Sequence, residues 1–384
     1  MKTAPAKFSP TKLIVKLLQW GILLGIVAYL VRDIYRNDSF GELWNEPKRW
    51  HLLAAALVVT FLGVLLTIIR WFWLLRAHDL PLSLRDALRL GFLGFLLNFV
   101  SLGAVGGDLF KAIFAARKCH ARRAEAVATV VIDRLIGLYV IFVMASVAML
   151  ATGLWRSADD RTIQLLCRAT FICTGIGTVA IILLMMPDLD GGRILRWLGG
   201  LPKVGRTCER LISAMLYYRN HKRVMAMSLG ITVVAQSLLF LAFYLVAAGL
   251  LSEHPSLETH FVIVPLTTIA GVVPLPANGL GAIELLVDYL YKNVTPAIDH
   301  ITLPNKDLGV LVSLGNRIVM LAVALVGVCY YLAARREVAE MMHEVEEEKV
   351  HSLLEAADDS GETAIGDRVP SATEQAPMVP SRGA

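Results

Sequence analysis

The sequence predicts an all-α integral membrane protein: a polytopic helical bundle in which two apolar segments are re-entrant broken helices in an inverted-repeat arrangement. Three observations carry this. The 384 residues are 56% hydrophobic and only 18% charged, with a mean hydropathy of +0.60, which is too apolar for a soluble domain. Apolar runs long enough to cross a hydrocarbon core of about 30 Å recur along the chain. Two of those runs, VSLGAVGGDLFKAIF (residues 100–114) and VVPLPANGLGAIELL (residues 272–286), are broken by glycine or proline and then resume as helices bearing an acid. Backbone groups freed inside a bilayer are tolerated only where protein or a water-filled cavity satisfies them, so the two breaks predict a polar cavity between them.

The net charge of +5 does not point to a nucleic-acid partner, because the basic residues cluster in short loops beside apolar runs, as positive-inside topology requires. The five cysteines, Cys119, Cys167, Cys173, Cys208 and Cys329, form no CxxC pair. They indicate neither a zinc site nor a disulfide framework and read as small apolar fillers. No cofactor motif is present either: Gly106-Gly107 is followed by no GxxxxGKS/T and preceded by no strand pattern.

In chain order, the run 17–31 follows Lys2, Lys7, Lys12 and Lys16 and is expected to be a retained span, since no small-x-small cleavage site follows it. The run 52–75 is a full span. Its cluster Trp71 to Trp73, beside Arg70 and Arg76, reads as an interfacial belt. The first broken segment occupies 87–115. Full spans are expected at 124–152, 163–186 and 225–251, the second broken segment at 261–291, and the last span at 308–334. The expected division is a transmembrane domain over residues 1–336 and an acidic, low-complexity, largely disordered cytoplasmic tail over 337–384.

Lysine and arginine counts in the short loops set the expected orientation. With both termini cytoplasmic and each broken segment returning to the side it left, the inside receives Arg76, Arg85 and Arg89, then Arg117 to Arg123, the long loop from Arg193 to Arg223, and Arg335 and Arg336. The outside receives poorly basic loops such as 251–260. The first broken segment then opens from the cytoplasm and the second from the exterior, as an inverted repeat requires. The spans that follow the two breaks match as well, Asp133-Arg134 aligning with Asn316-Arg317. Each arginine lies roughly 14 Å into its span by helical rise.

Ionisable groups inside spans cost about 2.5 to 3.5 kcal/mol on insertion scales and are functional candidates by default. Here they are Asp108, Lys111, Glu125, Asp133, Arg134, Glu284, Asp288 and Arg317, with Asn98, Asn278 and Asn316 as polar support. Glu284 and Asp288 share a helix face at four-residue spacing, and Asp108 and Lys111 can pair at three. A purely structural arrangement, in which Glu284 or Asp288 neutralises Arg317 and Asp133 finds a neighbour, stands beside a cavity for a charged ligand. The glycines Gly106, Gly107, Gly279 and Gly281 precede half-helices whose N-termini suit phosphate, and arginine adds a planar fork for phosphate oxygens.

Gly106-Gly107-Asp108, the run 128–137 with Asp133-Arg134, and then Pro274, Pro276, Gly279, Gly281 and Glu284 resemble the two motif blocks of the lysylphosphatidylglycerol synthase transmembrane region, a flippase-like membrane family. The resemblance covers roughly residues 13–336. It implies a multi-pass inner-membrane protein that moves a phospholipid or aminoacylated phospholipid between leaflets. Together with the buried ionisable groups Asp288 and Arg317, the candidate substrate-binding residues are Gly106, Gly107, Asp108, Asp133, Arg134, Gly279, Gly281 and Glu284; the expected partner is an anionic or aminoacylated membrane phospholipid, and no metal or cofactor is expected. The chain departs from the family where Ser101-Leu102-Gly103 replaces a common proline ahead of the first Gly-Gly. The soluble domain that makes the lysyl lipid is not expected in the polar tail, so synthase activity is not carried over. The alternative is a membrane enzyme acting on a phospholipid or polyprenyl-phosphate headgroup, with Asp108 or Glu284 as general base. It lacks a readable nucleophile pair or metal-ligand set.

Overall fold

The computed structural model describes residues 47–100, 104–119, 122–185, 217–218, 221–272, 279–301, 303, 307–330 and 332. The expected first span, much of the basic loop before Arg223, the prolines Pro274 and Pro276, Asn278 and the tail lie outside the described residues. Within them the fold is all-helical: α1 Trp50–Ala77, α2 Leu84–Val100, α3 Ala104–Lys118, α4 Arg123–Ala151, the short α5 Leu154–Ser157, α6 Arg161–Met185, α7 Lys222–Leu250, α8 Leu257–Ala270, α9 Ala282–Asp299 and α10 Leu308–Tyr330. Five of these, α1, α4, α6, α7 and α10, contain stretches long and apolar enough to cross a membrane. The chain is a polytopic helical membrane protein.

The centre is an antiparallel pair, α1 against α7, held close by glycine. A methyl group on Gly63 of α1 would lie 2.9 Å from Leu239, and one on Gly249 of α7 would lie 2.8 Å from Leu53. Two glycines, one at the middle of the pair and one near its end, thus set how closely the two axes approach, the small-residue device of membrane helix packing. α4 packs on both helices, and α6 packs on the outer side of α4 through Ser146 with Thr174 at 2.8 Å and Tyr139 with Thr178 at 3.1 Å. The largest apolar cluster joins Met149 of α4, Phe240 and Val246 of α7, Ile263 of α8, Leu290 of α9 and Val312 of α10.

Each broken segment folds as an antiparallel helical hairpin. In the first, Lys118 near the end of α3 meets Asp86 near the start of α2 at 2.5 Å, and Asn98 near the turn accepts the Gly107 N–H at 3.0 Å. In the first turn of α3, Gly107 lies against the Gly94 carbonyl so tightly that an added Cβ would sit 1.9 Å from that oxygen. In the second hairpin, Asp299 at the end of α9 accepts the Ser256 N–H at 2.9 Å, and His260 of α8 meets the Tyr291 hydroxyl of α9 at 2.8 Å. The arms have 17, 15, 14 and 18 residues. At about 1.5 Å per residue none reaches the full ~30 Å of a hydrocarbon core.

The turn into α9 needs glycine in particular. Gly279 has φ 68° and Gly281 φ 91°, left-handed values that a residue with a Cβ adopts only at a cost. α10 then runs back along α9, with Gly309 packed on the Asp288 backbone and Arg317 reaching Glu284.

The interfacial belt expected at Trp71 to Trp73 forms only in part. Trp73 is exposed, but Trp71 and Arg70 are buried, at 1% and 5%. With 3.6 residues per turn, Arg70, Trp71 and Leu74 share the face of α1 turned to the interior while Trp73 lies to the side of it.

Candidate functional site

Among the described residues, four charged clusters draw on residues singled out in the sequence. The first is built on Asp108, in the second turn of α3. Arg134 of α4 donates from Nε to its Oδ2, and the Lys111 ammonium lies 3.7 Å from its Oδ1. Lys111 also sits over the Trp71 ring, 5.7 Å from the centroid, and that indole donates to the Thr129 hydroxyl at 3.3 Å. The Arg134 side chain is 49% exposed, whereas those of Asp108 and Lys111 are mostly covered.

The second cluster is built on Asp133, the residue before Arg134. Its carboxylate accepts from Arg70 Nε at 2.7 Å, and its backbone carbonyl accepts from Arg70 Nη2 at 3.2 Å. The remaining Nη1 donates to Thr232 of α7 at 2.9 Å. Gly137, one turn beyond Asp133, lies beside the guanidinium, where a Cβ would be in ordinary contact with both Nη atoms at 3.6 Å. α1, α4 and α7 therefore converge on one buried guanidinium.

The third cluster is the sealed counterpart of the first. Arg317 of α10 contacts Glu284 Oε1 through Nε at 2.8 Å and Nη2 at 2.7 Å, and Glu284 Oε2 accepts the Gly281 N–H at 2.5 Å at the start of α9. The Glu284 side chain is completely buried. In the fourth, Asp288 meets Lys292 at 2.6 Å and the Gly309 N–H at 3.2 Å, while Lys292 also approaches Asp307, 3.6 Å away.

Of the two acids that the sequence offers to Arg317, the guanidinium meets Glu284, and Asp288 uses Lys292, one turn along its own helix. The glycines also differ from expectation. α3 begins at Ala104, so Gly106 and Gly107 lie inside its first turn. The Gly107 and Gly281 N–H groups are already bonded to Asn98 and Glu284, and these two donors are committed to side chains of their own hairpins.

Sequence reasoning missed Arg70, Thr232 and Lys292. The signal for Arg70 was its place within an apolar run, where an unpaired cation is costly. Its neighbours Trp71 and Trp73 drew it instead into an interfacial pattern. Lys292 stands at i+4 from Asp288, an ordinary helical ion-pair spacing.

What the clusters can do chemically follows from their charge. Arg70 with Asp133 and Arg317 with Glu284 are closed, neutral pairs. Asp108 lies between Lys111 and the half-exposed guanidinium of Arg134, and guanidinium is the side-chain group whose planar fork matches carboxylate and phosphate oxygens.

These geometries stand beside two findings of similarity. The chain is 24% identical over 298 residues to a UPF0104 membrane protein of Methanothermobacter thermautotrophicus, an alignment covering 72% of this chain and 86% of that protein. No solved structure matches it. The family model for the lysylphosphatidylglycerol synthase TM region matches residues 16–299, three quarters of the chain and both hairpins, so the chain belongs to the lysylphosphatidylglycerol synthase transmembrane region family.

Proposed function

We propose that the chain is a membrane lipid translocator that moves an anionic or aminoacylated phospholipid between leaflets of the cell membrane. The observation that carries this reading is the like construction of the two hairpins. Each places an acid of its second arm on the arginine of the span that follows: Asp108 on Arg134, and Glu284 on Arg317. Two such units of opposite orientation are the parts from which alternating-access transporters are built, with the ligand held between repeats and exposed by rocking one against the other. In this reading both hairpins are re-entrant, the first from the cytoplasm and the second from the exterior, and both termini are cytoplasmic. The headgroup phosphate is held by Arg134, with Lys111 beside it.

Reconstitution in vesicles tests the proposal. Purified protein should accelerate loss of a fluorescent phosphatidylglycerol from the outer leaflet, read by dithionite quenching, with no change in the lipid's chemical identity. Chemical turnover of the labelled lipid would overturn the reading in favour of a headgroup enzyme. The orientation is tested separately by cysteines placed at Arg122 and Ser352. Labelling of either from the exterior of intact cells would contradict it.

A further inference from the structure

We propose that the exposed face of α6 is a binding site for an anionic phospholipid, with the lipid's phosphodiester held by Arg161 and Arg168 and an acyl chain laid along Ile172, Gly175 and Val179. The site lies outside the four charged clusters and does not depend on the translocator reading.

Spacing makes the face. Arg161, Leu165, Arg168, Ile172, Gly175 and Val179 follow one another at intervals of four and three residues, which places them in one stripe along a helix. All six are exposed. α6 turns a different side to α4, through Thr174 and Thr178. An apolar stripe on a span is ordinary lipid-facing surface, and two arginines within it are not.

Depth makes the arginines informative. The apolar stretch of α6 runs from Arg161 to Ile182. Arg161 stands at its end, and Arg168, two turns further in, lies roughly 10 Å deeper by helical rise. A lipid-facing guanidinium at that depth is costly, and the cost is relieved when the side chain reaches back to the headgroups. Side chains on a helix tilt toward its N-terminus, here the near end, so Arg168 reaches toward the level of Arg161. Trp155 of the preceding α5 is exposed, as aromatic residues at a membrane interface are.

Among the described residues, neither guanidinium has a hydrogen bond or an ion pair. Of the two acids just ahead of α6, Asp160 is committed: its Oδ1 accepts the Thr162 and Ile163 N–H groups at 2.7 and 3.0 Å and the Tyr289 hydroxyl at 2.7 Å. Asp159 is exposed and precedes the helix, beyond the end from which Arg168 is two turns distant.

A phosphodiester at the headgroup level supplies the missing anion and matches the planar fork of each guanidinium. Two cations on one face favour a lipid of net negative charge over a zwitterionic one. They disfavour a second copy of this chain, because symmetric pairing about an axis along the membrane normal sets each arginine against itself. Gly175, with nothing within 4 Å of the place a Cβ would take, leaves a shallow groove beside Ile172 and Val179 for the acyl chain below the phosphate.

The test uses the full chain in phosphatidylcholine nanodiscs carrying a trace of phosphatidylglycerol with a photoreactive diazirine on one acyl chain, and maps the adducts by peptide. Labelling of α6 should be several-fold heavier than with the matching diazirine phosphatidylcholine. Arg168→Gln should lower that preference about fivefold, what one basic residue contributes at an anionic membrane surface, and adding Arg161→Gln should abolish it. Arg168→Lys should keep part of it.

Equal labelling of α6 by the two lipids in the wild type would overturn the proposal, and that comparison needs no variant to fold. A preference that survives in the folded double variant would overturn it as well. Labelling present in discs that hold one chain and absent in discs that hold two would assign the face to a second copy and overturn the lipid assignment. Labelling reads occupancy and requires no leaflet exchange, so this site and the translocator reading stand or fall separately.

Discussion

Asp133 and Arg134 are neighbours on α4 and belong to different networks: Asp133 is fixed to Arg70 of α1 at 2.7 Å, and Arg134 donates to Asp108 of the first hairpin. Adjacent helical residues point about 100° apart, so one turn of α4 faces both the buried centre and the hairpin. Asp133 serves the buried scaffold, and Arg134 ties the first hairpin to α4.

The scaffold role has a direct consequence for stability. Arg70→Gln would leave the Asp133 carboxylate buried without its cation, a loss of about 3–5 kcal/mol by the usual cost of breaking a buried pair. Replacing both partners with apolar residues, as in Arg70→Met with Asp133→Leu, should recover most of it. Thermal unfolding in detergent checks the order: the single variant should melt well below the double.

Gly107 should tolerate no side chain. A Cβ there would lie 1.9 Å from the Gly94 carbonyl oxygen and 2.5 Å from Asn98 Oδ1, and a backbone carbonyl cannot swing aside as a flexible side chain can. Gly107→Ala should force the arms of the first hairpin apart, with a cost at or above the ~1–3 kcal/mol typical of overpacking. Gly175→Ala, with open space around it, is the control and should express and melt as the wild type.

The sequence made the architecture legible because span-length apolar runs are a strong signal. The ends of the long helices fall within a few residues of those expected. The two breaks were legible for the same reason: Gly106-Gly107 and Gly279 with Gly281 stand out in an apolar background. Pairing was not legible. Whether Arg317 meets Glu284 or Asp288 depends on how α10 lies along α9, and no residue spacing encodes that. Arg70 shows a different limit. Beside tryptophans near a helix end, an arginine can face water or the interior, and the choice falls to Asp133 and Thr232, 63 and 162 residues away.

His78 gives the structure a pH dependence outside the spans. The ring is 4% exposed, stacks on Tyr217 at 4.3 Å, and its Nε2 has no hydrogen-bond partner among the described residues. Burial, the largest influence, lowers its pKa from the usual 6.5, with Glu125 acting in the opposite direction. The unfolded chain therefore takes up the proton at a higher pH than the folded one. Stability is full above about pH 6.5 and falls as the pH drops from there toward the folded value. Melting temperature should decline between pH 7 and pH 5, and His78→Phe, which keeps the stacked ring without the titrating group, should flatten that decline. An unchanged slope in the variant would show that another group governs it.

The two hairpin arginines should separate stability from transport. Arg317 holds Glu284, whose side chain is completely buried and whose other oxygen is occupied by the Gly281 N–H. Arg317→Gln strands that carboxylate and should cost about 3–5 kcal/mol, while Glu284→Gln added to it removes the stranded charge and should restore folding. Arg134 is half-exposed, so Arg134→Gln should cost no more than the ~1 kcal/mol of an exposed pair. For leaflet exchange per folded molecule the order should invert: Arg134→Gln loses it, Arg134→Lys keeps part of it because an ammonium retains charge without the planar fork, and the Glu284→Gln, Arg317→Gln double variant retains more than either. Vesicle exchange measured beside thermal unfolding reads both axes. Should the double variant fold yet fail to exchange while Arg134→Gln exchanges freely, the phosphate belongs at Arg317, and the half-exposed guanidinium of Arg134 serves only to hold the first hairpin.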